Sequence, residues 1–211
     1  MKPREEYYEK QAQVIINNLK RRNRAGYYCK DISEAKEKLA ELLGENKTIG
    51  YGGSMTIDEN GFKDFLREKG HEIIVRDDYK TPEEKRELNK KLITCDAFLS
   101  STNAISMDGE LVNIDGASSR VAFITYGPEE VYIITGMNKV TSDLETAMER
   151  AKNVAAPINA IRIGTGTPCT KAGKCMDCFD SKTICCNTVI TRYSRIKDRI
   201  KVILIGEDLG Y

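Results

Sequence analysis

Several residue types and patterns are missing or scarce in this 211-residue sequence, and each absence excludes something. Tryptophan is absent and histidine occurs once, at His71, so a metal site built from two or more histidines is excluded. A serine–histidine–carboxylate triad would need His71, which enters a predicted strand at its N-terminal end. No segment approaches the roughly 18 consecutive apolar residues of a transmembrane helix, so we expect no membrane association.

Net charge is also nearly absent. Lysine and arginine together number 33 against 32 acidic residues, which leaves a formal charge of +1. A protein that binds nucleic acid through its phosphates usually carries a basic excess, so we expect no nucleic-acid partner. The basic run at residues 20–24 fits a solvated helix end, where cations interact favourably with the helix dipole.

The seven cysteines suggest a cellular location. The first residues, 1–6, are polar and have no apolar segment behind them, so we expect no secretory signal. Cysteines in a chain without such a signal are reduced thiols more often than disulfides. The sequence therefore predicts a cytoplasmic protein.

The apolar pattern predicts an α/β fold in one domain, residues 1–211. Helical spacing at residues 5–20 and 35–43, the second ended by Gly44, predicts an N-terminal helical cap over residues 1–44 that precedes any strand. Strands are predicted at residues 48–51, 72–75, 97–101, 131–135, 161–163 and 201–205, with helices at 59–69, 82–92 and 142–154 between them. Such alternation predicts a mostly parallel sheet with helices on both faces.

A hairpin interrupts this alternation. The strand-like runs 105–107 and 110–113 are separated by Asp108 and Gly109, and Asp-Gly in this position favours a two-residue type I′ turn.

A glycine-rich loop follows the first predicted strand and leads into a helix. Gly52 and Gly53 would let backbone N–H groups approach a ligand closely, and Ser54 and Thr56 would add hydroxyl donors for carboxylate or phosphate oxygens. The segment is neither a Walker loop nor a dinucleotide fingerprint, and a tight strand–helix turn explains it nearly as well.

Polar residues follow the other strands as well. Asn103, Asn138 and Lys139 come after strands, and Arg120 stands at a predicted helix start, where its guanidinium is suited to a carboxylate or phosphate. Each residue alone is more often a turn or a cap. Together they predict a pocket for a small anion, with Asp115 and Glu110 as acid/base candidates and Asp115 preferred because it lies in a loop.

The same polar segments resemble the lactate-utilisation LUD-domain family. The resemblance lies in residues 52–56, 101–105, 108–116, 120–122, 126–131 and 136–140, and spans nearly the whole chain in order. It implies a fold similar to those of ribose-5-phosphate isomerase, glucosamine-6-phosphate deaminase and the coenzyme A transferases. It also implies a role in oxidation of lactate to pyruvate, in some members within iron–sulfur assemblies. No catalytic residue is carried over from it.

Five of the seven cysteines lie in a predicted C-terminal cysteine-rich loop, residues 168–187. Cys175 and Cys178 form a C-x-x-C pair, with Cys169 upstream and Cys185 downstream. Four thiolates at this spacing can bind one zinc ion or an iron–sulfur cluster, and the spacing does not separate the two. Free thiols, a redox-responsive disulfide or partly buried side chains are the alternatives.

Two hypotheses follow. In the first, the chain is an enzyme or enzyme subunit of organic-acid metabolism that binds a small carboxylate or phosphate. In the second, it is a redox or metal-binding accessory protein with a four-cysteine centre; a zinc-stabilised structural partner is a third, weaker reading. Protein partners in a lactate-oxidising complex and a homodimer are compatible with either, and the sequence leaves open whether the chain is an enzyme.

Overall fold

A computed structural model describes residues 2–75 and 79–211. Nine α-helices are present in this part of the chain: α1 (Pro3–Arg21), α2 (Ile32–Leu43), α3 (Met55–Asp58), α4 (Phe62–Glu68), α5 (Pro82–Thr94), α6 (Ser119–Thr125), α7 (Leu144–Arg150), α8 (Ala156–Ile163) and α9 (Cys169–Ala172). Its ten strands are β1 (Ala25–Cys29), β2 (Thr48–Tyr51), β3 (Glu72–Ile74), β4 (Ala97–Ser100), β5 (Ala104–Ser106), β6 (Leu111–Asp115), β7 (Glu130–Gly136), β8 (Val140–Thr141), β9 (Asn187–Thr191) and β10 (Ile200–Ile205).

Six strands form a parallel sheet in the order β1-β10-β7-β4-β2-β3. Alternate residues of β7 enter two different hydrophobic clusters: Val131 and Ile133 pack with α1, α5 and α6, whereas Tyr132 and Ile134 pack with α2, α3 and α4. Because side chains alternate across a strand, this pattern means that helices cover both faces. The predicted α/β fold with a mostly parallel sheet is confirmed.

A second, four-stranded sheet has the order β8-β5-β6-β9 and contains the predicted hairpin, β5–β6. The predicted type I′ turn is wrong. The Gly109 N–H donates to the Ser106 carbonyl at 2.8 Å, which places Met107 and Asp108 at the turn centre. Gly109 has φ +90° whereas Asp108 is not left-handed, and a type I′ turn requires positive φ at both central residues.

Besides the type of the hairpin turn, two predicted features differ from the structure. The N-terminal segment is not a purely helical cap, because β1 lies between α1 and α2 and pairs with β10 at the sheet edge. The predicted strand 161–163 is the last turn of α8, and Ile161 and Ile163 are 56% and 51% exposed. Helix α7, a π-helical turn (Ala151–Ala155) and α8 follow one another without a break.

The described residues contain no helix that is both long and apolar enough to span a bilayer.

Candidate functional site

A cavity of about 570 Å³ opens at the carboxyl ends of β2 and β4, next to the start of α6. Ligands of open α/β sheets bind in this position. Seven of the predicted site residues line the cavity: Gly52, Gly53, Ser54, Asn103, Asp115, Arg120 and Lys139. Thr56, Asn138 and Glu110 are not among its lining residues.

The glycine loop uses part of its backbone for its own structure. The Gly52 N–H donates to the Leu99 carbonyl at 3.1 Å, and the Ser54 N–H donates to the Tyr51 hydroxyl at 2.6 Å. These two amides are therefore already bonded. A Cβ at Gly53 would meet no atom within 4 Å, so the loop faces open space there.

Gly52 is needed for close packing. A Cβ at this position would lie 2.8 Å from Phe98 Cζ and 2.9 Å from Arg120 Cγ. The absence of a side chain therefore lets the Arg120 side chain lie against the loop.

Arg120 lies beneath the cavity and is held by the chain itself. Its Nη1 donates to the Ser101 carbonyl at 3.2 Å and to Asn113 Oδ1 at 2.6 Å. Its Nη2 donates to Asn103 Oδ1 at 3.3 Å and to the Ile114 carbonyl at 2.8 Å. The Arg120 guanidinium, which the sequence predicts to bind the ligand, thus donates to oxygens of the protein itself. Arg120 contributes its positive charge to the cavity.

Asp115 is the carboxylate next to Arg120, with Oδ2 3.7 Å from Arg120 Nε. It also accepts the N–H groups of Ser118 at 2.8 Å and Val121 at 3.3 Å, at the start of α6. Asp115 therefore positions the helix that carries Arg120, and the acid/base role assigned to it stays a prediction.

Lys139 is the most buried cation of the cavity lining, with only 2% of its surface exposed. It lies in a 3₁₀ turn (Met137–Lys139) after β7, and its Nζ donates to Thr56 Oγ1 at 2.9 Å and Ser101 Oγ at 3.2 Å. Burial, followed by the charges of Arg150 and Arg120, lowers the pKa of Lys139 to about 7. In the described part of the chain, no carboxylate lies within 4 Å of this amine.

The three predicted residues outside the cavity lining have other partners. Thr56 lies behind Lys139 and bonds to the Leu209 carbonyl. Asn138 accepts from the Leu209 N–H and donates to the Gly210 carbonyl, so it holds residues 209–210 in place. Glu110 lies at the hairpin turn and pairs with Arg22 and the Ser106 hydroxyl.

Sequence reasoning missed several residues around the site. Tyr51 holds the glycine loop and donates to Asp58, and burial and that hydrogen bond raise its pKa. The signal for Tyr51 was its position directly before the glycines. Arg150, at the end of α7, lowers the pKa of Lys139, and Arg162 lines the cavity from α8. The pattern of residues 161–163 predicts a strand and so conceals Arg162, and no local pattern connects Arg150 with Lys139.

The cysteine-rich segment, residues 168–187, is not a loop throughout, because it contains α9, and it approaches one rim of the cavity. Its Ile184 lines the cavity and packs on Gly116, and β9 begins directly after Cys186. Burial, and then the neighbouring thiol of Cys175, raise the pKa of Cys185, with smaller effects from Cys169 and Cys178. Across residues 2–75 and 79–211, however, no three histidine, cysteine or acidic side chains are grouped closely enough to hold a metal ion.

Comparisons with known proteins agree on one family. The family model of the LUD domain matches residues 12–205. The fold is similar to the crystal structure of a DUF162 family protein from Deinococcus radiodurans, with a TM-score of 0.56 and 10% sequence identity. That alignment covers 94% of this chain and 98% of the other. No curated protein matches the chain significantly.

Proposed function

The chain belongs to the LUD domain family, and on that premise we propose that its cavity binds a small organic anion, a carboxylate or phosphate, in lactate-to-pyruvate metabolism. The family supports a function related to lactate utilisation, and the cavity supports the class of ligand.

The observation that carries this proposal is the buried amine of Lys139. A buried ammonium group without a carboxylate partner is costly, and the lowered pKa of Lys139 reflects that cost. An anion bound beside it would supply the missing partner. Arg120 adds a second positive charge, and Lys85 and Arg162 also line the cavity. These cations outnumber the carboxylates of the lining, which are those of Asp115 and Asp58.

Calorimetric titration of the protein with lactate, pyruvate and inorganic phosphate at neutral pH tests the proposal. A charged hydrogen bond contributes about 1.5–3 kcal/mol, so Lys139→Met should weaken binding of the preferred anion on the order of 10- to 100-fold. Lys90→Met is the matched control, since its side chain is 72% exposed on α5 and it is not a cavity residue. Equal affinities in Lys139→Met and wild type would refute the proposed site.

Anion binding should also take up protons. An anion next to Lys139 favours the ammonium form and raises its pKa, so binding at pH 7 to 8 draws protons from the buffer. Titrations in two buffers of different ionisation enthalpy measure this uptake, which should disappear in Lys139→Met.

The second candidate function is a redox or metal-binding role of the cysteine-rich loop. It is supported by the effect of Cys175, and to a lesser degree of Cys169 and Cys178, in raising the pKa of Cys185, because charges on these thiols then influence one another. A set of four thiolates fits zinc or an iron–sulfur cluster chemically, although the side chains are not drawn together in this structure. Zinc would stabilise the loop, and a cluster would supply one-electron transfer.

Anaerobic purification followed by metal analysis and visible spectroscopy separates these possibilities. Iron and sulfide with visible absorption would identify a cluster, and stoichiometric zinc without colour would identify a structural site. Metal-free protein with freely titratable thiols under these conditions would refute the second candidate.

A further inference from the structure

We propose that Lys139 is a nucleophilic amine, which forms a reversible imine with the carbonyl carbon of a 2-oxo acid bound in the cavity. This inference deepens the proposed function and rests on it, because the carboxylate of the same ligand is what the cavity cations would hold.

The first support is where Lys139 lies. The side chain follows the end of β7 and lines the cavity. Among the residues that the structure describes, it donates only to two hydroxyl oxygens, those of Thr56 and Ser101. Arg120, another cation of the cavity lining, donates to the carbonyl oxygen of the same Ser101 at 3.2 Å. Both cations therefore meet at one residue, and an acid whose carboxylate faces Arg120 would present its adjacent carbonyl to Lys139.

The second support is the state of the amine. An amine acts as a nucleophile only when it is neutral, and an ordinary lysine at neutral pH is almost fully protonated. Arg120 and Arg150 disfavour a third positive charge here, and Glu59 alone among the neighbours favours it. With a pKa of about 7, half of the Lys139 amines would be neutral at pH 7.

The third support is the pair of hydroxyl groups. Imine formation begins when the amine nitrogen bonds to the carbonyl carbon, and a proton moves from nitrogen to oxygen to give a carbinolamine. Water then leaves with the former carbonyl oxygen, and a carbon–nitrogen double bond forms. A hydroxyl group both accepts and donates a proton, so Ser101, which lines the cavity, is suited to pass it between nitrogen and oxygen, whereas Thr56 holds the amine from the side away from the cavity. The step consumes no oxidant or reductant.

Borohydride trapping of the full-length protein tests this inference. The protein is incubated with pyruvate at neutral pH and reduced, and its peptides are then mapped by mass spectrometry. We expect a carboxyethyl group on Lys139 at high occupancy. Lactate, which has no carbonyl group, should give no product. Lys85 is the internal control, because it lines the same cavity but lies on the exposed face of α5.

The outcomes distinguish this inference from the proposed function. Labelling concentrated on Lys139 and abolished in Lys139→Met, with Lys139 still labelled in the Lys90→Met control, supports the imine. Pyruvate that binds without labelling Lys139, or labels Lys85 and surface lysines equally, refutes the imine and leaves anion binding standing. Absence of binding for pyruvate, lactate and phosphate refutes both.

Discussion

The pH dependence of stability offers a direct measure of the buried amine. Lys139 has an ordinary pKa of 10.5 in the unfolded chain and a pKa of about 7 in the folded protein. Between these values the unfolded chain holds a proton that the folded protein has released. Stability rises with pH wherever the unfolded state binds more protons, so the Lys139 contribution makes the protein more stable as the pH increases above 7.

The size of the effect follows from the two pKa values. When the unfolded chain binds one proton more than the folded protein, the free energy of unfolding rises by about 1.4 kcal/mol per pH unit. Because Lys139 is half deprotonated near pH 7, the unfolding free energy rises there with only about half of this slope, and it reaches the full slope about one pH unit higher. The free energy of unfolding should therefore rise by roughly 1.5 kcal/mol between about pH 7 and 8.5 from this group alone. Below pH 7 both states bind the proton and the contribution becomes constant.

Lys139→Met removes this titration and keeps most of the side-chain volume. Urea unfolding of wild type and variant, measured at several pH values, gives the difference in free energy, in which all other titrating groups cancel. The range should end near pH 8.5, because burial raises the pKa of Cys29 to about 11 and both proteins therefore lose stability in more alkaline solution. A wild-type minus Lys139→Met difference that is flat over this range would refute the lowered pKa of Lys139.

Two further predictions concern the glycine loop. Gly52→Ala should destabilise the protein by about 1–3 kcal/mol and weaken anion binding, because the new Cβ would meet Phe98 and Arg120. Gly53→Ala should change the stability by less than about 0.5 kcal/mol, since a Cβ there meets no atom within 4 Å. Urea midpoints and calorimetry compare the two variants, and equal losses of stability would contradict this packing. Tyr51→Phe should cost about 1–3 kcal/mol because the Ser54 N–H loses its acceptor and Asp58 its donor, while Tyr126→Phe, at a side chain that is 77% exposed, should be neutral in the same assay.

Most of the sheet could be predicted because its strands are buried on both faces. Strands β4, β7 and β10 are nearly continuous apolar runs, and such runs lie in the interior of a parallel sheet. Strand β1 escaped prediction because Ala25–Cys29 contains a glycine and two half-buried tyrosines at the sheet edge. Strand β9 is largely exposed, so its residues lack an apolar pattern.

The site could be predicted as a group of loops, but not as a network of bonds. Strand ends of a parallel sheet converge at one edge, and this alone brings residues 52–54, 103 and 139 together, after β2, β4 and β7. Which donors remain for a ligand depends on long-range partners. The bonds of Arg120 to Ser101 and Asn103, and of Asn138 to Leu209, join segments whose contact no local pattern encodes.

The buried cations of this protein differ in the oxygens that hold them, and this difference separates structural from functional charge. Arg24 donates to the carbonyls of Gly109 and Thr191, and Arg199 donates to those of Pro128, Ile124 and Phe123. A carbonyl oxygen can only accept, so these arginines cannot leave without exposing unsatisfied backbone groups. Within residues 2–75 and 79–211, Lys139 bonds only to hydroxyl groups, which can rotate and donate instead. Its amine can therefore turn from the protein to a ligand at little cost, and this makes Lys139 the buried cation best suited to chemistry.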